Sequence, residues 1–175
     1  SVQHAGRDLA VVMPQADSPT RHLSWAVKRL IDLLAGVVGL VVLALLSPCI
    51  ALANMVSSPG PLFYRQERVG KGGRTFWVYK FRSMVPAAEK ESGAVWAAKN
   101  DRRITPIGRI LRKTRVDELP QFWNVLKGDM SLIGPRPERP EFVADLVRVV
   151  PFYQARHAVR PGLTGWAQVN ADYGD

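Results

Sequence analysis

The sequence predicts an α+β protein, mainly helical, built on one apolar helix that enters a membrane. Three observations carry this. From Leu33 to Leu46 there is no polar side chain at all. Two aromatic and β-branched runs, Phe63–Arg68 and Thr75–Phe81, flank the glycine turn Gly70-Lys71-Gly72-Gly73 and read as a small β-hairpin. Basic amphipathic stretches then follow, with Ile104, Ile107, Ile110 and Leu111 at helical spacing among Arg102, Arg103, Arg109, Arg112, Lys113 and Arg115.

Residues 1–25, with Pro14 and Pro19, read as a tail or as the end of an upstream region. Residues 26–58 form the membrane element. Apolar residues resume from Cys49 to Val56, broken only by Asn54, so the run is long enough to span a bilayer. Ser47-Pro48 lies well inside it, and proline removes a helix hydrogen bond, so a kink or break is expected there. Arg21, Lys28 and Arg29 precede the segment, and Arg65, Arg68, Lys71 and Arg74 follow it. Basic flanks mark the cytoplasmic side. Two such flanks favour a re-entrant helix over a single span or a buried core helix.

Ser57-Ser-Pro-Gly-Pro61 ends the helix, and residues 59–175 form the remaining domain. The glycine turn lacks the spacing of an ATP-binding phosphate loop. Residues 86–100 read as a helix or a mobile loop, 118–127 as a short helix closed by Gly128, and 141–149 as another before Pro151. Pro161-Gly-Leu-Thr-Gly-Trp166 reads as a loop.

Composition narrows the partners. With 24 Lys and Arg against 15 Asp and Glu, the net charge is +9. That suits a polyanion: nucleic acid, an anionic membrane or a phosphorylated substrate. The apolar run and the lack of a nucleic-acid motif argue against the first. Cys49 stands alone, and His4, His22 and His157 are scattered, so neither a disulfide nor a zinc site is expected.

The densest polar grouping runs from Arg112 to Pro120. Asp117 and Glu118 stand at the predicted start of a helix, beside three cations. Free N–H groups there favour a phosphate and should keep a carboxylate ionised through a depressed pKa. The plain alternative for Asp117 is an N-cap. Arg136, rigidly presented between Pro135 and Pro137, matches phosphate oxygens with a bidentate fork.

Eight blocks then occur in order. They are Lys28-Arg29-x-x-Asp32, Ser57-Ser-Pro-Gly-Pro-Leu-Phe63, Arg68-Val-Gly70, Lys80-Phe-Arg-Ser-Met84, Asp117-Glu-Leu-Pro-Gln121, Asn124-Val-Leu-Lys-Gly-Asp-Met-Ser131, Gly134-Pro-Arg-Pro-Glu138 and Pro161-Gly-Leu-Thr-Gly-Trp-Ala-Gln168. Together, over residues 26–170, they closely resemble the bacterial sugar transferases known as monotopic phosphoglycosyl transferases.

The resemblance implies a membrane enzyme of the bacterial inner membrane, with its catalytic domain on the cytoplasmic face. Such an enzyme moves a sugar-1-phosphate from a UDP-sugar to undecaprenyl phosphate and releases UMP, the first step of exopolysaccharide or surface-glycan synthesis. It implies a covalent aspartyl-phosphosugar on Asp117, with Mg2+ held by Asp117 and Glu118. Glu118 acts as base or organiser, and Arg112, Arg136, Lys80 and Arg82 hold phosphates. It also implies a re-entrant helix broken at Ser47-Pro48, interfacial helices around the site, and a homodimer as a plausible assembly. Asn170 is followed by Ala171-Asp172-Tyr173-Gly174 where small members have Gly-Arg, a pattern similar to the larger exopolysaccharide-type members. Relatives usually continue beyond this point, so a further C-terminal part is expected. A glycosyltransferase releasing UDP and a non-enzymatic basic membrane adaptor are the competing readings. The sugar itself is not legible, with a hexose favoured.

Overall fold

A computed structural model describes residues 19–86, 88 and 101–170. The expected helix or loop at 86–100 and the tail before residue 19 lie almost wholly outside the described residues. Contacts divide the chain into two units, Ser1–Ile31 and Asp32–Asp175.

Helix α1 runs from Pro19 to Ser57. Proline suits its first turn, where an N–H has no partner. Leu-, Val- and Ala-rich sequence sustains it, and Ser58-Pro59-Gly60-Pro61 stops it. Within the first unit, Leu23, Trp25, Val27, Leu30 and Ile31 are exposed. Secondary structure stays helical through Ser47-Pro48, with Pro48 inside the helix. The pair interrupts hydrogen bonding rather than ending the helix: Pro48 has no N–H, and Ser47 Oγ donates to the Leu43 carbonyl at 2.6 Å.

In the second unit, α1 meets the body along one stripe. Asp32, Gly36, Gly39, Leu43, Ser47, Ile50 and Asn54 are buried or half-buried, at the three- and four-residue steps of a helix face. Leu34, Val38, Val41, Leu45, Leu52, Met55 and Val56, on the other faces, are exposed. The helix is therefore long and apolar enough to cross a membrane, yet only 17% of its apolar window is buried.

The body is small. Strands β1 (Phe63–Val69) and β2 (Thr75–Phe81) pair antiparallel, with Phe63 opposite Phe81 and Val69 opposite Thr75. The hairpin expected from sequence is present. Helix α2 (Pro106–Lys113) is capped by Thr105, whose hydroxyl accepts from the Gly108 N–H at 2.9 Å. A 3-10 segment, Val116–Gln121, leads into α3 (Phe122–Lys127), closed by Gly128 at φ 90°. The expected helix at 118–127 is thus a tighter turn followed by a helix. Helix α4 (Pro140–Val149) precedes another 3-10 segment, Tyr153–Ala158.

One expectation is corrected. The chain after Pro161 is not simply loop. Strand β4 (Gly162–Thr164) pairs in parallel with β3 (Ser131–Ile133), and α5 (Trp166–Asn170) follows. Three-residue strands carry no readable alternation, and their pairing is non-local. Close approach marks the crossing: a Cβ on Gly162 would lie 2.1 Å from the Gly134 nitrogen.

Two apolar clusters hold this together. Ile50 of α1, Phe81 of β2 and Leu111 of α2 form the first, with Leu43, Leu62, Ile107, Val116 and Leu119 against it. Val78, Val125 and Met130 form the second, with Phe76. Fully buried Asn124 of α3 seals the open edge of β2: its side chain donates to the Trp77 carbonyl at 2.7 Å and accepts from the Tyr79 N–H at 3.4 Å.

The stripe on α1 is anchored at its start by a charge. Asp32 is 2% exposed, and its Oδ1 accepts from Ser131 Oγ and from the Leu132 N–H, each at 3.0 Å. Gly36 and Gly39 then let the helix close on α3, where a Cβ on Gly39 would lie 2.2 Å from the Phe122 ring. Replacing Asp32 with Ala removes the acceptor of two hydrogen bonds, and a buried donor left without its acceptor costs about 1–3 kcal/mol. The expected outcome is a lower Tm for Asp32→Ala in detergent, with Asp32→Asn recovering part of the loss because its carbonyl still accepts. Equal melting of Asp32→Ala and wild type refutes the anchor.

Candidate active site

Local sequence sets up the acid pair. Helix α2 ends at Lys113 with Thr114 as its C-cap, and Arg115 takes a left-handed backbone (φ 58°, ψ 12°). Its carbonyl accepts from the Glu118 N–H at 3.1 Å, closing the turn. The next four residues alternate in role. Val116 and Leu119 pack into the cluster around Ile50, Phe81 and Leu111. Asp117 and Glu118, between them, are 7% and 8% exposed. Asp117 therefore lies inside the 3-10 segment and caps nothing with its side chain; the N-cap position belongs to Arg115.

The two carboxylates have different surroundings. Glu118 Oε1 accepts from Lys80 Nζ of β2 at 2.8 Å and from Arg136 Nη2 at 3.1 Å. Burial works against its charge, but Lys80 and Arg136 outweigh burial and hold its pKa down at about 2, against an ordinary 4.5. Lys80, half-buried, is pulled below the usual lysine range by desolvation, with the Glu118 charge opposing that. Asp117 behaves in the opposite way. Its Oδ1 is buried with no hydrogen-bond partner. Burial pushes its pKa up and the neighbouring Glu118 charge adds to this, while Lys80, Arg112 and Arg115 pull it down. The depressed pKa expected from sequence thus belongs to Glu118; Asp117 departs from it because desolvation dominates where no donor reaches the oxygen.

The other expected residues divide. Arg136 emerges from β3 through Gly134-Pro135, and its carbonyl is held by Arg156. Arg112 donates from Nε to Ser83 Oγ at 2.9 Å, and its charge acts on Asp117. Arg82 is not brought to the acid pair by any of its contacts. It is buried, and its guanidinium donates to Ser58 Oγ at 2.9 Å and to the carbonyls of Ser58, Pro61 and Met84. It clamps the exit of α1 to the end of β2.

A small cleft, with room for about one water, lies beside Glu118, lined by Arg68, Val78, Lys80, Glu118, Gln121, Arg136, Pro137 and Gly162. Three cations face one carboxylate there, an arrangement suited to phosphate oxygens. Sequence reasoning did not single out Arg68 as a site residue. The signal was the hairpin register: Tyr64, Gln66 and Arg68 share a face with Phe76, Val78 and Lys80.

The described residues thus seat one long apolar helix by a single stripe on a small α+β body that holds a buried acid pair among converging cations. The bacterial sugar transferase family model matches residues 23–175, and the chain belongs to that family. It is 52% identical over 147 residues to the UDP-N-acetylgalactosamine-undecaprenyl-phosphate N-acetylgalactosaminephosphotransferase of Aeromonas hydrophila, covering 84% of this chain and 34% of that protein. It is 43% identical over 167 residues to the UDP-glucose:undecaprenyl-phosphate glucose-1-phosphate transferase of Escherichia coli (strain K12), covering 94% of this chain and 35% of the relative. It is 46% identical over 145 residues to the exopolysaccharide production protein PSS of Rhizobium leguminosarum bv. phaseoli, covering 81% and 72%. The chain thus spans about a third of the length of the first two.

The unequal pair yields stability effects of opposite sign. Glu118 has a lowered folded pKa, so its contribution is present above pH 4.5 and is lost as pH falls toward 2. Glu118→Gln should destabilise the chain at pH 7 by roughly 2 kcal/mol, since it breaks a buried pair. Asp117 has a raised folded pKa, so its ionised form works against folding at pH 7. Asp117→Asn should raise Tm at pH 7, with the gain shrinking as pH falls through the folded pKa. Thermal melts of both variants across pH check this; a loss of stability in Asp117→Asn contradicts it.

Proposed function

We propose that this chain is the catalytic part of an enzyme that transfers a sugar-1-phosphate from a UDP-sugar to undecaprenyl phosphate and releases UMP. The single observation that carries the reading is the unpartnered, buried Oδ1 of Asp117 beside a cation-held Glu118. A carboxylate that no donor has quenched is a nucleophile, and burial raises its basicity. The relatives' names supply the substrates: both UDP-N-acetylgalactosamine and UDP-glucose transferases are among them.

Two displacements follow. An Asp117 carboxylate oxygen attacks the β-phosphorus of the UDP-sugar. The bond from that phosphorus to the bridging oxygen breaks, and UMP leaves with the electron pair. The aspartyl-phosphosugar is then attacked at the same phosphorus by an oxygen of undecaprenyl phosphate. The P–O bond to Asp117 breaks, which restores the carboxylate. Lys80, Arg136 and Arg68 neutralise phosphate oxygens, and Arg112 steadies the charge next to Asp117. Glu118 keeps Lys80 and Arg136 aimed at the pocket. Arg82, clamped to the exit of α1, is assigned to positioning rather than to phosphate.

The donor set fits Mg2+. That ion is commonly held by one or two carboxylates together with substrate phosphates, and Asp117 offers a buried oxygen without a partner, with Glu118 adjacent. When bound it would supply charge neutralisation at the diphosphate.

The helix fits a re-entrant insertion from the cytoplasmic face of the inner membrane. Its contact stripe runs from Asp32 to Asn54, so the charged body accompanies the helix along that length. A segment so accompanied is poorly suited to a straight crossing, because the body's charges would enter hydrocarbon. Bare apolar faces and two basic flanks suit a shallow entry and return, with Ser47-Pro48 as the point of weakened helix. An interfacial site lets a soluble nucleotide sugar and a lipid phosphate meet. Cysteines placed at Arg21 and Arg74 should label from the same side of the membrane; opposite sides sink the topology.

For the chemistry, intact mass after incubation with UDP-sugars and Mg2+, without lipid acceptor, should rise by one phosphosugar. Asp117→Asn should show no gain, and the mass names the sugar. With acceptor, the nucleotide product should be UMP. UDP as product, or a mass gain that survives Asp117→Asn, overturns the reading.

A further inference from the structure

The hairpin carries a second polar array that the acid pair does not use. Tyr64, Gln66 and Arg68 lie at alternate positions of β1, on the face that also bears Lys80. They form a ladder: Gln66 Nε2 donates to Tyr64 Oη at 3.3 Å, and Arg68 Nη2 donates to Gln66 Oε1. Arg68 continues the chain to the Pro137 carbonyl at 3.2 Å and to Glu138 at 3.5 Å. One end of the ladder is therefore the cationic pocket, since Arg68, Lys80 and Arg136 line it. The other end is Tyr64, 40% exposed and directly across from Lys80.

We propose that this ladder is the nucleoside subsite, with phosphates at Arg68 and Lys80 and the uracil ring lying along Gln66 against Tyr64. The inference rests on the sugar-phosphate transfer proposed above. Three points support it. Four residues of strand span about 13 Å, enough for a nucleoside running out from a phosphate pocket. Tyr64 is 40% exposed, and aromatic side chains stack on bases. Gln66 uses one N–H and one lone pair within the ladder, which leaves one donor and one acceptor. That is the complement of the adjacent N–H and carbonyl on a uracil edge. The ladder also fixes which end of the amide is nitrogen, because Arg68 can bond only the oxygen.

The test is calorimetric titration of the full chain in detergent with UMP, the product that carries the nucleoside without the sugar. Tyr64→Ala and Gln66→Leu should each weaken UMP by about tenfold. Tyr64→Phe keeps the ring and should retain most of the affinity. Arg65→Ala is the control, since Arg65 lies on the opposite face and stacks over Trp77 at 4.8 Å. It should stay within about twofold of wild type, and all variants should keep the wild-type circular dichroism spectrum. Unchanged UMP affinity in both Tyr64→Ala and Gln66→Leu overturns the subsite while the reaction stands. So does weakened UDP-sugar binding with unchanged UMP binding, which would assign the ladder to the sugar. A wild-type chain that binds no UMP overturns the reaction and the subsite with it.

Discussion

Two carboxylates buried on consecutive residues are the constraint around which this molecule is arranged. Like charges at that distance, away from water, cannot both be left without compensation. The chain compensates one of them. Lys80 comes from a strand, Arg136 from a proline-bracketed loop, and both converge on the same oxygen of Glu118. Asp117 receives only the more distant fields of Lys80, Arg112 and Arg115. The result is an asymmetric pair, in which one acid is locked as an anion and the other is held at a cost. Sites that use two acids differently are built this way, by separating environments rather than residue types.

Holding that pair in place falls to apolar packing. Val116 and Leu119 bracket the acids and enter the cluster shared by Ile50, Phe81 and Leu111. The apolar helix α1 is therefore part of the core that fixes the acid pair. Its Asp32 grips β3, whose continuation delivers Arg136, and its exit is clamped by Arg82 from the end of β2. A shift of the helix would move both the floor under the acids and one of the cations above them. This links seating of the helix to geometry at the site through ordinary contacts, with no separate signalling element.

Much of this was legible in the sequence, and the limits follow from physics. The apolar run, the hairpin and the helix at 106–113 announce themselves through local periodicity and turn residues. Asp117, Glu118, Arg136 and Lys80 stand out because charge, proline and order along the chain are local too. The parallel pairing of β3 and β4 left no trace, because three residues carry no pattern and the partners, such as Ser131 and Gly162, are far apart in the chain. The left-handed turn at Arg115 was hidden because arginine has no preference for it; a glycine there would have signalled it. The pKa of Asp117 was misjudged because a helix N-terminus suggests donors, while the fold buries the side chain where none reaches. For Arg82 the sequence gives the charge but not the partners, which the structure places at Ser58, Pro61 and Met84.

The stripe on α1 was the least legible feature, and it decides which faces of the helix are left bare. Apolar residues on every face conceal which face is used, since leucine reads the same against protein as against lipid. The small and polar residues are what disclose it: Asp32, Gly36, Gly39, Ser47 and Asn54 all fall on the contact side. Polar groups in such a helix are costly toward lipid and are retained where protein receives them. Glycines permit the close approach that lipid would not require. In a helix hydrophobic all round, the exceptions to hydrophobicity define the seat, and here they line up with the acids, the clamp and the cations they support.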